Sequence, residues 1–146
     1  MTVSYQLDFE RYREHLVDVT LQFTAANDNP VVWLPSWIAG SYLIREFSKH
    51  IESVKAYDED GRMLQISKFE KNKWRLFNTD FELITVEYDV YAYDLSVRGA
   101  YVDQNRLYVN PACACLGLEG QEENQVEVEV FLPDELKHFQ LATGLA

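Results

Sequence analysis

His50-Ile51-Glu52 and Pro111-Ala112-Cys113-Ala114-Cys115 carry the residue types of the H-x-E and P-C-x-x-C halves of a zinc deaminase. Spacing defeats the match. Deaminase cysteines lie one helical turn apart, whereas Cys113 and Cys115 are two positions apart and would share a face only on a strand. The same closeness would strain a disulfide between them, so both are read as reduced, small buried hydrophobes. His15 and His138 have no partner at metal-ligand spacing, and H-E-x-x-H is absent. Nucleophilic chemistry has no better footing. There is no G-x-S-x-G elbow, and Ser41 after Gly40 reads as a loop hydroxyl that satisfies backbone.

Aromatic clustering carries more information. Trp33, Trp37 and Tyr42 crowd one region, while Tyr88, Tyr91, Tyr93, Tyr101 and Tyr108 crowd another. Alternation turns Tyr88 inward and puts Tyr91 and Tyr93 on the opposite face. Arg45 and Arg98 lie beside these clusters, where a guanidinium can stack on a ring or pair a carboxylate.

The elements that must position these groups are strands. His15 to Phe23 alternates Val17, Val19, Leu21 and Phe23 with polar residues, and the pattern recurs over Ile84–Ala92 and Val126–Leu132. Shorter candidates are Val3–Phe9, Val31–Leu34, Ile51–Tyr57, Met63–Phe69, Trp74–Phe77 and Leu107–Val109. About nine strands imply an all-β, two-sheet, sandwich-like domain. Asp58-Glu59-Asp60-Gly61 reads as a hairpin loop whose glycine takes positive φ. Gly40, Leu43, Ile44, Phe47 and Ile51 fall at helical spacing, so residues 40–50 fit a short amphipathic helix or a bulged strand.

Composition bounds the partners. The 146 residues carry a net charge of −11, which repels phosphate backbones and anionic lipid, so neither nucleic acid nor a membrane surface is expected as a partner. The run Gln121 to Glu135 has six carboxylates and no basic residue, as suits a solvated edge. No apolar run approaches the ~18 residues of a membrane span, the start lacks signal-peptide order, and a cytoplasmic protein is expected. No internal boundary or repeat is visible, so residues 1–146 read as a single domain.

The string Trp37-Ile38-Ala39-Gly40-Ser41-Tyr42-Leu43-Ile44-Arg45-Glu46-Phe47-Ser48-Lys49-His50-Ile51 resembles the segment that opens the N-terminal β domain of glycyl aminopeptidase-like metallopeptidases, family sixty-one. Gly61 followed by Lys71-Asn72-Lys73-Trp74 agrees in order. So do Val86-Glu87-Tyr88-Asp89-Val90-Tyr91-Ala92-Tyr93-Asp94, Ser96-Val97-Arg98-Gly99-Ala100-Tyr101 and Leu141-Ala142-Thr143-Gly144-Leu145. The family usually has Pro where this chain has Ala39, and Pro111 to Cys115 matches it loosely.

This resemblance implies a non-catalytic domain of a larger enzyme, followed by a thermolysin-like zinc domain and often a PDZ domain. The fragment itself is expected to hold no cofactor. Zinc is expected in the missing catalytic domain, where two His and a Glu bind it and the Glu of H-E-x-x-H activates water. By analogy with other aminopeptidases, the domain would pack against its own catalytic domain and help wall the cleft for a peptide substrate. The residues expected to face that domain or the substrate are Trp37, Gly40, Ser41, Tyr42, Arg45, Tyr91, Tyr93 and Arg98. Two alternatives stand beside it: a carbohydrate-binding module using Tyr91 and Tyr93, and a free-standing interaction domain whose acidic surface meets a basic protein.

Overall fold

The computed structural model describes residues 2–35, 47–77, 79–80, 82–94 and 99–143. In chain order the first strands are β1 (Thr2–Asp8), β2 (Leu16–Thr24), β3 (Val31–Trp33), β4 (Ile51–Tyr57), β5 (Met63–Leu64) and β6 (Ile66–Glu70). They are followed by β7 (Lys73–Leu76), β8 (Leu83–Tyr91), β9 (Ala100–Val102), β10 (Leu107–Val109), β11 (Gly117–Leu118) and β12 (Gln125–Phe131). One four-residue helix, α1 (Pro111–Ala114), precedes β11. The fold is all-β, as the alternation requires. Among the described residues no helix is long and apolar enough to cross a membrane.

Six strands form the large sheet in the order β12-β1-β2-β8-β4-β5, four form a second in the order β11-β3-β7-β6, and β9 and β10 make a ribbon. Register explains the core. Leu7 pairs with Val19 and Val19 with Tyr88, while Tyr5 pairs with Leu21 and Leu21 with Val86, so each inward row is apolar across three strands. These rows form one buried cluster with Val32, Leu34, Trp74, Leu76 and Leu118 from the second sheet. Two buried tyrosines tie the connection after α1 to the large sheet. Tyr88 Oη donates to the Ala114 carbonyl at 2.6 Å and accepts from Leu116 N at 3.0 Å, while Tyr5 Oη donates to the Leu116 carbonyl.

The structure refines the expected strand count in ways that have local causes. Met63–Phe69 is two strands: β5 pairs with β4 in the large sheet and β6 pairs with β7 in the second, so the chain changes sheets at Gln65. Strands β9 and β11 are too short to show a period. The β9–β10 ribbon makes a third sheet beside the two expected, joined to the end of β8 by a bridge between Tyr93 and Tyr101. The Val126–Leu132 pattern does form a strand, but it lies at the sheet edge, parallel to β1. With one neighbour it leaves Val126 54% exposed.

Turn chemistry is as expected. Gly61 has φ of 80°, and the Asp58 side chain accepts from the backbone N of Asp60 at 3.0 Å and of Arg62 at 2.8 Å. Of residues 40–50, the part described is a 3-10 turn at Phe47–His50; residues 40–46 lie outside the described residues.

Candidate functional site

Strand β8 ends by presenting its outward row beyond the core. Tyr88 is 2% exposed, whereas Tyr91 and Tyr93 are 43% and 55% exposed. Ala92, between them, is fully buried and fixes the pleat. The backbone then continues into the ribbon: Val102 N donates to the Ala92 carbonyl at 3.0 Å and Asp94 N to the Ala100 carbonyl at 2.9 Å.

His15 completes the arrangement in a way alternation does not reveal. Instead of opening the strand, it ends a 3-10 turn (Tyr12–Glu14) with φ of 60°. In that left-handed conformation its carbonyl accepts from Ala92 N at 2.7 Å. Its ring nitrogen Nδ1 lies 2.7 Å from the Val102 carbonyl, and the ring centroid is 4.3 Å from that of Tyr93. The result is a chain of rings: His50 to Tyr91 at 6.4 Å, Tyr91 to Tyr93 at 6.4 Å, and Tyr93 stacked on Tyr101 at 5.4 Å. Arg106 caps it with its guanidinium 5.1 Å from the Tyr101 centroid. Tyr101 Oη donates to Asp103 at 2.8 Å, which raises the phenol's pKa and lowers the carboxylate's.

Between His50 and the tyrosines lies an open cleft of about 300 Å³. Its floor is the buried side of Val90, Ala100 and Cys113, and Asp94 lines it as well. Helix α1, which carries Cys113, packs against the Phe47–His50 turn, which carries His50. Asn110 starts α1 by accepting from Ala112 N at 3.1 Å, with Pro111 at the first helical position. Burial pushes the Cys113 thiol up to about 12, and burial also lowers His50, helped by nearby Lys49. Gly99 is needed beside this cleft, because a Cβ there would collide with the Asp94 carboxylate.

The outer face of the large sheet holds a second group. Arg11 donates through Nε to Asp18 at 3.0 Å and reaches Asp89 at 2.7 Å through Nη2. Beside it Ser53, Lys55 and Glu87 line a shallow polar depression.

Of the eight residues expected to face a neighbour or substrate, Tyr91 and Tyr93 are brought together at the cleft. Trp37, Gly40, Ser41, Tyr42, Arg45 and Arg98 lie outside the described residues. Sequence reasoning missed the roles of His15, Asp94 and Tyr101, which depend on a left-handed residue and a three-residue strand. His50 and Cys113, weighed first for zinc, do share the cleft with Asp94. Among the described residues, however, no three His, Cys, Asp or Glu side chains stand close enough to hold a metal ion. This donor set does not fit zinc.

Fold and relatives together define the class, a peptidase-associated β domain. Residues 4–146 match the family described as Peptidase M61 N-terminal domain, and the chain belongs to that family. An aminopeptidase N family protein from Idiomarina loihiensis is 40% identical and superposes with a TM-score of 0.87, over 92% of this chain and 22% of its own. The chain therefore spans about a fifth of that relative. An M1 zinc metallopeptidase from Deinococcus radiodurans is 11% identical over 70% of this chain and 23% of its own, with a TM-score of 0.37. No curated protein matches.

Proposed function

We propose that this chain is the non-catalytic N-terminal domain of a zinc-dependent aminopeptidase, packing against its catalytic domain and helping to form the cleft for a peptide substrate. The observation that carries this reading is the family match over residues 4–146, supported by the 40% identical aminopeptidase-family relative of which the chain spans 22%. Zinc, in this reading, is bound elsewhere in the parent protein, and this chain takes no part in coordinating it. Its own contribution is a layered scaffold that presents Tyr91 and Tyr93 on its surface, where they meet the neighbour or the substrate.

The carbohydrate alternative also uses Tyr91 and Tyr93. Their ring planes are inclined by 44°, a poor match to the flat platform on which a sugar ring stacks.

Reading the gene beyond the codon for Ala146 tests the proposal. A frame continuing into an H-E-x-x-H helix supports it, and a stop codon overturns it. A second check is enzymatic. The 146-residue chain, with or without added zinc, is expected to leave an N-terminal glycyl amide intact; hydrolysis that copurifies with it refutes the non-catalytic assignment.

A further inference from the structure

We propose that the free edge of β12 is a docking site for an extended segment of a partner protein, alternately apolar and basic, which adds to the large sheet as a further strand. The edges of the fold are the first reason. The large sheet ends in β12 and β5, and the second sheet in β11 and β6. An open edge templates pairing with another chain unless it is short, bulged, interrupted by proline or guarded by charge. Strands β5 and β11 have two residues each, those of the ribbon have three, and β6 is broken by a register shift between Lys68 and Glu70. Strand β12 runs for seven residues without a proline, in one unbroken register with β1 from Thr2 opposite Gln125 to Asp8 opposite Phe131. Among the described strands it is the edge long and regular enough to accept another.

Charge decides what such a strand must carry. Glu127 and Glu129 are exposed and lie opposite the uncharged Ser4 and Gln6 of β1. Among the described residues neither carboxylate has a hydrogen bond or an ion pair, whereas Asp18 and Asp89 in the same sheet share Arg11. A strand added beside β12 therefore gains most when basic side chains face the two glutamates. A second copy is disfavoured there, because β12 against β12 sets these carboxylates opposite one another. This chain's own basic strand is already committed, since Lys73 and Arg75 belong to β7, which β3 and β6 flank. The occupant is a segment of a different protein.

Alternation supplies the rest of the match. Val126, Val128 and Val130 lie opposite the buried Val3, Tyr5 and Leu7, so these valines carry the core row to its open end. Val128 and Val130 are only partly buried against the core, and Val126 is 54% exposed. Apolar residues of an added strand continue this row, while its alternate residues meet the glutamates on the opposite face. Main-chain pairing gives such a complex its affinity, and the alternate side chains give it specificity. This assignment does not depend on the peptidase reading, since binding is read on the chain itself.

The test is a titration of the ¹⁵N-labelled 146-residue chain with the acetylated, amidated peptide Lys-Val-Lys-Val-Lys-Val. Two controls run in parallel: Lys-Lys-Lys-Val-Val-Val, with the charge but not the alternation, and Ser-Val-Ser-Val-Ser-Val, with the alternation but not the charge. The alternating basic peptide is expected to move the backbone resonances of Gln125–Phe131 saturably and to bind about fivefold tighter than either control, the scale of two cross-strand charge pairs. Glu127→Lys combined with Glu129→Lys is expected to reverse the preference, toward Glu-Val-Glu-Val-Glu-Val. Equal binding of the three peptides, no shift at millimolar concentration, or shifts confined to the surroundings of Asp18 and Asp89 overturns the proposal. So does a dimer of the free chain that perturbs the β12 resonances, which makes a second copy the occupant. Binding that is lost when the chain is extended to the end of its reading frame overturns the assignment to a different protein. The peptide comparison uses the unaltered chain, so it decides the matter even if the variant fails to fold.

Discussion

Asp18 and Asp89 stand directly opposite each other on β2 and β8, two carboxylates paired in register, and Arg11 is the cation that bridges them. Like charges in that position are destabilising unless a counter-charge is shared. Hydrogen bonding from Arg11 holds Asp18 below the usual carboxylate range, while burial pushes Asp89 above it. Arg11→Ala is expected to cost about 1 kcal/mol, the upper end for a part-exposed ion pair. Adding Asp89→Asn should restore about half of that by removing the repulsion. Urea unfolding of the two variants checks it: equal stability of the single and double variants sinks the idea, and 1 M salt should shrink the difference between them.

Tyr88 is a different case, since its hydroxyl is both donor and acceptor in a buried site. Its pKa is driven up by burial, and its partners, the Ala114 carbonyl and Leu116 N, belong to fully buried residues. Tyr88→Phe keeps the ring but orphans both groups, at an expected cost of about 1–3 kcal/mol. Tyr5→Phe, which removes only a donor to the Leu116 carbonyl, should cost less. A Tyr88→Phe change in urea stability below about 0.5 kcal/mol would show that the strap after α1 is not held by this hydroxyl.

His50 gives a pH dependence of defined sign. Burial, followed by the charge of Lys49, lowers its folded-state pKa. The unfolded chain then binds more protons than the folded one as pH falls below about 6.5, so the histidine's contribution to stability declines through that window. Melting temperature should fall more steeply between pH 7.5 and pH 5 in the wild type than in His50→Gln. Parallel curves for the two proteins would rule this out.

The long strands were legible because their periods are long. Val17 to Phe23 and Ile84 to Val90 each alternate through several residues, and the structure buries each of those apolar rows. Tyr91 and Tyr93 were legible as outward for the same reason. Strands β9 and β11 were not, because three and two residues carry no period; β9 pairs with its sequence neighbour β10, whereas β11 pairs with the distant β3. The break at Gln65 was hidden because both halves of Met63–Phe69 are β-prone; only the separate pairing of β5 and β6 divides them. His15 continues the alternation that begins at Val17, and its left-handed backbone is imposed by the preceding 3-10 turn. The cleft was therefore half visible: its outer walls were in the pattern, but what brings His15, Asp94 and Tyr101 to it is tertiary.

The thiols supply the last expectation. Cys113 is buried in the floor of the cleft, where its sulfur donates to the Asn110 carbonyl at 2.9 Å, and burial pushes both it and Cys115 up to about 12. The thiolate is the reactive form, so neither residue has an appreciable reactive fraction near pH 8 while the fold is intact. Titration with a thiol reagent at pH 8 should show slow reaction of both cysteines in buffer and rapid, complete reaction in strong denaturant. Rapid reaction of Cys113 in the native protein would mean that the floor opens, and with it the packing of α1 against the Phe47–His50 turn.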